Sequence, residues 1–145
     1  MKNTLQKSFI VSAVLILAGC GSQQIDVHDA NRETKAYETV DLAALDKEQI
    51  IQHLNTLVLE MEKATSEKLF GEMHHLEIAL TAALERLSNL LSDSEQAAVA
   101  PIIENLKTIA MKIHTAGHDQ NEVMAGKLNV QLKASVEKLI NGLEL

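Results

Sequence analysis

Leu69, Met73, Leu76, Leu80, Ala83, Leu87 and Leu90 follow one another in steps of 4, 3, 4, 3, 4 and 3 residues. A spacing that averages 3.5 keeps apolar side chains on one face of an α-helix but scatters them over both faces of a strand. The stretch is therefore a helix, and its apolar seam needs other helices to cover it.

The flanking sequence supplies them. Asp46 with Gln49 forms a capping box, and Ile50, Leu54, Leu57, Val58 and Met61 recur behind it at helical spacing. Thr65 or Ser66 is the expected cap of the seam-bearing second helix. Ser92-Asp93-Ser94-Glu95 opens a third, in which Pro101 either kinks the helix or restarts it at a first-turn position. Its buried stripe is Ile102, Leu106, Ile109, Ile113 and Ala116, and Gly117 fits a left-handed stop. Asp119 with Glu122 starts the fourth, carried by Met124, Leu128, Leu132, Val136 and Leu139 and ended by Gly142. Helices of about twenty residues with short loops favour antiparallel neighbours, so the expected fold is an all-α, up-down-up-down four-helix bundle. The alternative is a three-helix hairpin with a loosely attached first helix. No internal repeat points to a solenoid.

Composition narrows the function. The only aromatic residues are Phe9, Tyr37 and Phe70, too few for base-stacking platforms or aromatic cages. The formal net charge is −7, without a basic patch, which argues against nucleic acid. No HExxH, phosphate loop or nucleophile constellation occurs, and the Ser and Asp residues stand mostly where caps are needed, so an enzyme is not expected.

At the N-terminus, Lys2 and Lys7 precede an apolar run from Phe9 to Ala18, about half the length of a membrane-spanning helix. The run ends in Leu17-Ala18-Gly19-Cys20, which resembles the bacterial lipobox. That resemblance implies a signal peptide at 1–19 and lipidation of Cys20 by diacylglyceryl and further fatty-acyl (palmitate-type) chains. Two or more chains anchor stably where one does not. Gly21 follows in place of the Asp associated with inner-membrane retention, which implies the outer membrane, facing the periplasm. Removal of 1–19 takes away Lys2 and Lys7 and no acid, so the charge of −7 becomes −9. Cys20 is the only cysteine, so no internal disulfide is possible. Polar residues follow, and 20–45 read as lipidated Cys plus tether, with 46–145 the bundle domain.

Two patterns suggest binding. Met61, Met73, Met111 and Met124 fall near one expected end of the bundle, about 6–12 Å from its turns. His74, His75 and His114 fall in the same slab, and His118 lies beside it. Met111, His114 and His118 share a stripe. Thioether and imidazole without thiolate suit copper better than calcium or magnesium. The candidate metal set is His74, His114, His118, Met111 and Met124. The competing reading is that Met61, Met73 and Met124 fill the core and the histidines are solvated. Second, Phe70 and Ile78 lie off the main face of helix two, as do Val123 and Val130 on helix four. Off-face apolar residues on two helices form a candidate face for an envelope protein or a homodimer, although scattered exposed apolar residues are ordinary. The primary expectation is thus a lipid-anchored protein with a binding or structural role; the alternative is a copper-like metal or haem-binding bundle.

Glu72-Met73-His74-His75-Leu76-Glu77 with Ala79-Leu80 and Ala83-Leu84, together with Ile113-His114-Thr115-Ala116 and Asp119, resembles a pattern in small uncharacterised proteobacterial periplasmic proteins. The resemblance covers about half of the mature chain. It implies an exported helical domain with a histidine in each segment, His74 and His114 here, and no defined activity; Ile78 stands where that pattern often has an aromatic. The bundle is also similar to periplasmic four-helix b-type cytochromes. Those ligate haem through a methionine on the first helix, where Met61 stands, and a histidine near the end of the last. No histidine follows His118, which departs from that pattern.

Overall fold

The computed structural model describes residues 32–143, which form four helices: α1 (Lys47–Ser66), α2 (Phe70–Leu90), α3 (Asp93–His118) and α4 (Glu122–Gly142). Leu17-Ala18-Gly19-Cys20, on which the expected lipid anchor rests, lies outside the described residues. Each helix packs on its neighbours in sequence, and α1 also packs on α4, which closes the ring as an up-down-up-down four-helix bundle. Contact with both α2 and α4 makes α1 a full member, so the three-helix alternative does not apply. No described helix is long and apolar enough to cross a membrane.

The α2 seam is buried from Met73 to Leu87, while at its ends Leu69 is 45% exposed and Leu90 is partly buried. Met73, Leu76, Leu80, Ala83 and Leu87 are fully buried, and they meet Ile50, Leu54, Leu57 and Met61 of α1 and Leu106 and Ile113 of α3. Two caps follow the sequence reading. The Asp46 carboxylate accepts the Gln49 N–H at 2.9 Å while Gln49 Oε1 accepts the Asp46 N–H at 3.0 Å. At α3, Ser92 Oγ accepts the Glu95 N–H and Glu95 accepts the Ser92 N–H at 2.8 Å. Lys47 reaches Glu95 at 2.9 Å, joining the starts of α1 and α3 at one end of the bundle. Hydrogen bonds from Ser92 and Lys47 hold the Glu95 carboxyl down at about 2.

The turns at the other end depart from expectation. Neither Thr65 nor Ser66 caps α2, and Asp119 does not cap α4. Thr65 and Ser66 still belong to α1, and their hydroxyls donate back to the Met61 and Lys63 carbonyls. Both turns instead close through the backbone. The Leu69 N–H reaches Ala64 O at 2.8 Å, and the Asn121 N–H reaches Ala116 O at 2.8 Å. Each closure places one residue in the left-handed region, Lys68 (φ 59°) and Gln120 (φ 51°). The Asn121 side chain then caps α4 by accepting the Met124 N–H at 3.0 Å. Gly117 is thus not the left-handed stop. Helix α3 also runs unbroken through Pro101, whose missing N–H withholds one helical hydrogen bond from the carbonyl of Ala97, an exposed residue.

The tether reading of 20–45 fails for its described part. Residues 32–45 form a strap with short 3-10 turns at Ala36–Thr39 and Leu42–Ala44, docked on the bundle. Tyr37 is buried, and its hydroxyl donates to Glu72 Oε1 at 2.5 Å. Arg32 pairs with Glu38 and, at 3.3 Å, with Glu72. Arg86 donates to the carbonyls of Leu42, Ala43 and Leu45 at 3.0, 3.0 and 3.2 Å. The polar sequence of 32–45 misled because one aromatic side chain and two arginines hold this segment down.

Candidate metal centre

Antiparallel packing sets the beginning of α2 beside the end of α3. His74 is the fifth residue of α2, and His114 and His118 occupy one face of the last two turns of α3 at i, i+4 spacing. How closely these helices approach is decided by Gly117. A Cβ there would stand 3.1 Å from Met73 Sδ and 3.3 Å from the Phe70 carbonyl oxygen, inside ordinary contact distance. The glycine therefore lets the two backbones come together, and the histidines beside it meet.

His74 Nδ1 lies 3.1 Å from His114 Nε2. The ring centroids are 4.5 Å apart for His74 and His114, and 4.6 Å for His114 and His118. One ligand nitrogen from each of the three rings falls within 4.8 Å of the other two. Metal–imidazole bonds are about 2.0–2.1 Å, which sets nitrogens about 3.3–3.6 Å apart around a tetrahedral or trigonal ion. The His74–His114 pair is already near that spacing, and closing the third ligand in needs movement on the order of 1 Å. Glu77, one turn after His74, places Oε2 3.6 Å from His114 Nδ1. That carboxylate stands on the Nδ1 side of the ring, opposite the Nε2 that faces His74, the side from which a carboxylate commonly supports a metal-ligating histidine.

Other sequence candidates lie elsewhere. Met124 is not a core residue but 48% exposed, and it belongs to α4, which packs on α3 and α1 and not beside α2. Met111, one turn before His114, is 58% exposed. The donors that the fold brings within 4.8 Å of one another are the three imidazoles, with Met111 one turn away along α3. His75 turns toward the strap, its Nδ1 3.4 Å from Glu38 Oε1. His53 lies under the strap, where burial pushes its pKa down. Met61, the candidate haem methionine, is fully buried in the packed core, and its backbone carbonyl accepts from Asn129 Nδ2 at 3.3 Å.

The candidate interaction face does not form one patch. Phe70 is buried at the α2–α3 approach, and Ile78 is exposed on α2. Val123 and Val130 are 70% and 71% exposed on α4, which lies across the bundle from α2. Sequence reasoning missed two contributors. Glu77 carried a signal, since i+3 from His74 is a neighbouring position on a helix. Gly117 carried none beyond being a glycine near a helix end. No family model, curated protein or solved structure matches this chain.

Proposed function

We propose that this helical bundle binds a first-row transition-metal ion through His74, His114 and His118, at a cell envelope to which the lipidated Cys20 tethers it. The convergence of three imidazoles from two helices, with Glu77 behind His114, carries the reading. Imidazole suits zinc, copper and nickel, and at a given site copper(II) binds more tightly than zinc(II). Three imidazoles favour a divalent ion, whereas a thioether share from Met111 would favour copper(I). The anchor rests on the likeness of Leu17-Ala18-Gly19-Cys20 to a lipobox.

Native mass spectrometry of the untagged protein with zinc(II), copper(II) or copper(I) tests it. One tightly held divalent ion, lost in His114→Ala and kept in His53→Ala, is the expected result. Failure to take up any ion, or uptake unchanged in His114→Ala, would refute the reading.

A docking role has one observation in its favour. Val123 and Val130, seven residues apart, project from the same side of α4 and are both largely exposed. Crosslinking of membranes should then give an adduct that Val130→Lys removes; adducts indifferent to that change would exclude this face.

A further inference from the structure

The cluster holds three ligands from this chain, and its geometry points to a fourth from outside. Resting on the metal reading above, we propose that the bound ion keeps one coordination position open to an exogenous donor, a small anion or a donor side chain of another molecule. Among the described residues, no aspartate, glutamate or cysteine joins the three histidines. Glu77 stands on the Nδ1 side of the His114 ring, away from His74, and is not one of the group that converges with the three histidines. The outer ligand, His118, is exposed and is the last residue of α3, and the chain then turns away through exposed Asp119, Gln120 and Asn121. One flank of the ion is therefore walled by α2 and α3, while the His118 flank faces solvent. Three protein ligands with a solvent-facing position is the pattern of metal sites that exchange ligands, whereas structural zinc sites are closed by four. The complete hydrophobic core beneath agrees: with Met73, Leu76 and Ile113 fully buried, the fold does not need an ion to hold it together.

The test loads the intact protein with cobalt(II), whose visible spectrum reports its coordination, and titrates sodium azide. A saturable spectral change reaching one azide per cobalt is expected, with the same change in Met111→Leu. A cobalt spectrum indifferent to azide overturns the open position but leaves the three-histidine site standing. An azide response that appears only in Met111→Leu overturns it too, because the Met111 thioether then fills the fourth place. Failure to bind cobalt at all overturns both this inference and the metal reading beneath it.

Discussion

Gly117 and Gly126 are both helical glycines, and substituting each by alanine separates helix propensity from packing. Alanine is favoured over glycine by about 0.8–1.0 kcal/mol in a helix interior. At Gly126 a new Cβ would find nothing within 4 Å, so Gly126→Ala should be more stable than wild type by up to about 1 kcal/mol. At Gly117 the same methyl would meet Met73 Sδ at 3.1 Å and the Phe70 carbonyl at 3.3 Å. The Met73 thioether is the end of a flexible side chain, but it is fully buried, and the Phe70 carbonyl is backbone and must move with α2. Overpacking of this kind typically costs about 1–3 kcal/mol. Set against the propensity gain, Gly117→Ala should lose about 0–2 kcal/mol. The two variants should then differ by about 1–3 kcal/mol, or at least about 4 °C in melting temperature for a domain near 100 residues. Thermal unfolding followed by far-ultraviolet circular dichroism measures this difference. Because the methyl pushes α2 from α3 beside His74 and His118, Gly117→Ala should also weaken metal uptake while Gly126→Ala leaves it unchanged. A Gly117→Ala protein as stable as Gly126→Ala, with wild-type uptake, would refute the close-approach argument.

Replacing Glu77 by Gln should weaken zinc affinity about 10- to 100-fold without unfolding the domain, since it removes the carboxylate behind His114; an unchanged dissociation constant in a zinc titration would count against that role. Tyr37→Phe removes a hydrogen bond to a carboxylate, worth about 1.5–3 kcal/mol, and Arg32 still pairing with Glu72 puts the expected loss near the lower figure. Urea unfolding checks it, and a loss below about 0.5 kcal/mol would mean the strap contributes little. Burial lowers the His53 pKa, so the unfolded chain takes up that proton more readily than the folded one. Its effect on stability is absent above about pH 6.5 and becomes a loss as pH falls from there through the lower folded value. His53→Gln should therefore flatten the fall in melting temperature between about pH 7 and pH 5; parallel profiles for the two proteins would rule His53 out as a cause.

The α2 seam and the capping pairs Asp46/Gln49 and Ser92/Glu95 were legible in the sequence because each depends on residues within one or two turns of the same helix. Helix number, antiparallel order and most of the core follow from such local patterns. Local pattern failed at both turns beside the candidate site. There the chain closes by backbone hydrogen bonds through Lys68 and Gln120, residues with no special turn preference. It failed again for the strap, whose attachment depends on Glu72 and Arg86, 35 to 44 residues away from their partners.

The histidines show the same division. Sequence spacing determined that His114 and His118 share a face of α3 and that His74 stands near the start of α2. Spacing alone does not tell His74 from His75, which differ by about 100° around the helix, and only the resemblance singles out His74. Only the packed bundle decided that His74 faces α3 and His75 faces the strap, because rotation of α2 about its axis is set by the whole seam at once. The same packing buried Phe70, left Met124 in solvent, and used Gly117 for close approach instead of as a helix stop. Periodicity along a chain specifies which residues share a face; which faces meet, and how closely, is a property of side chains from different helices filling one space.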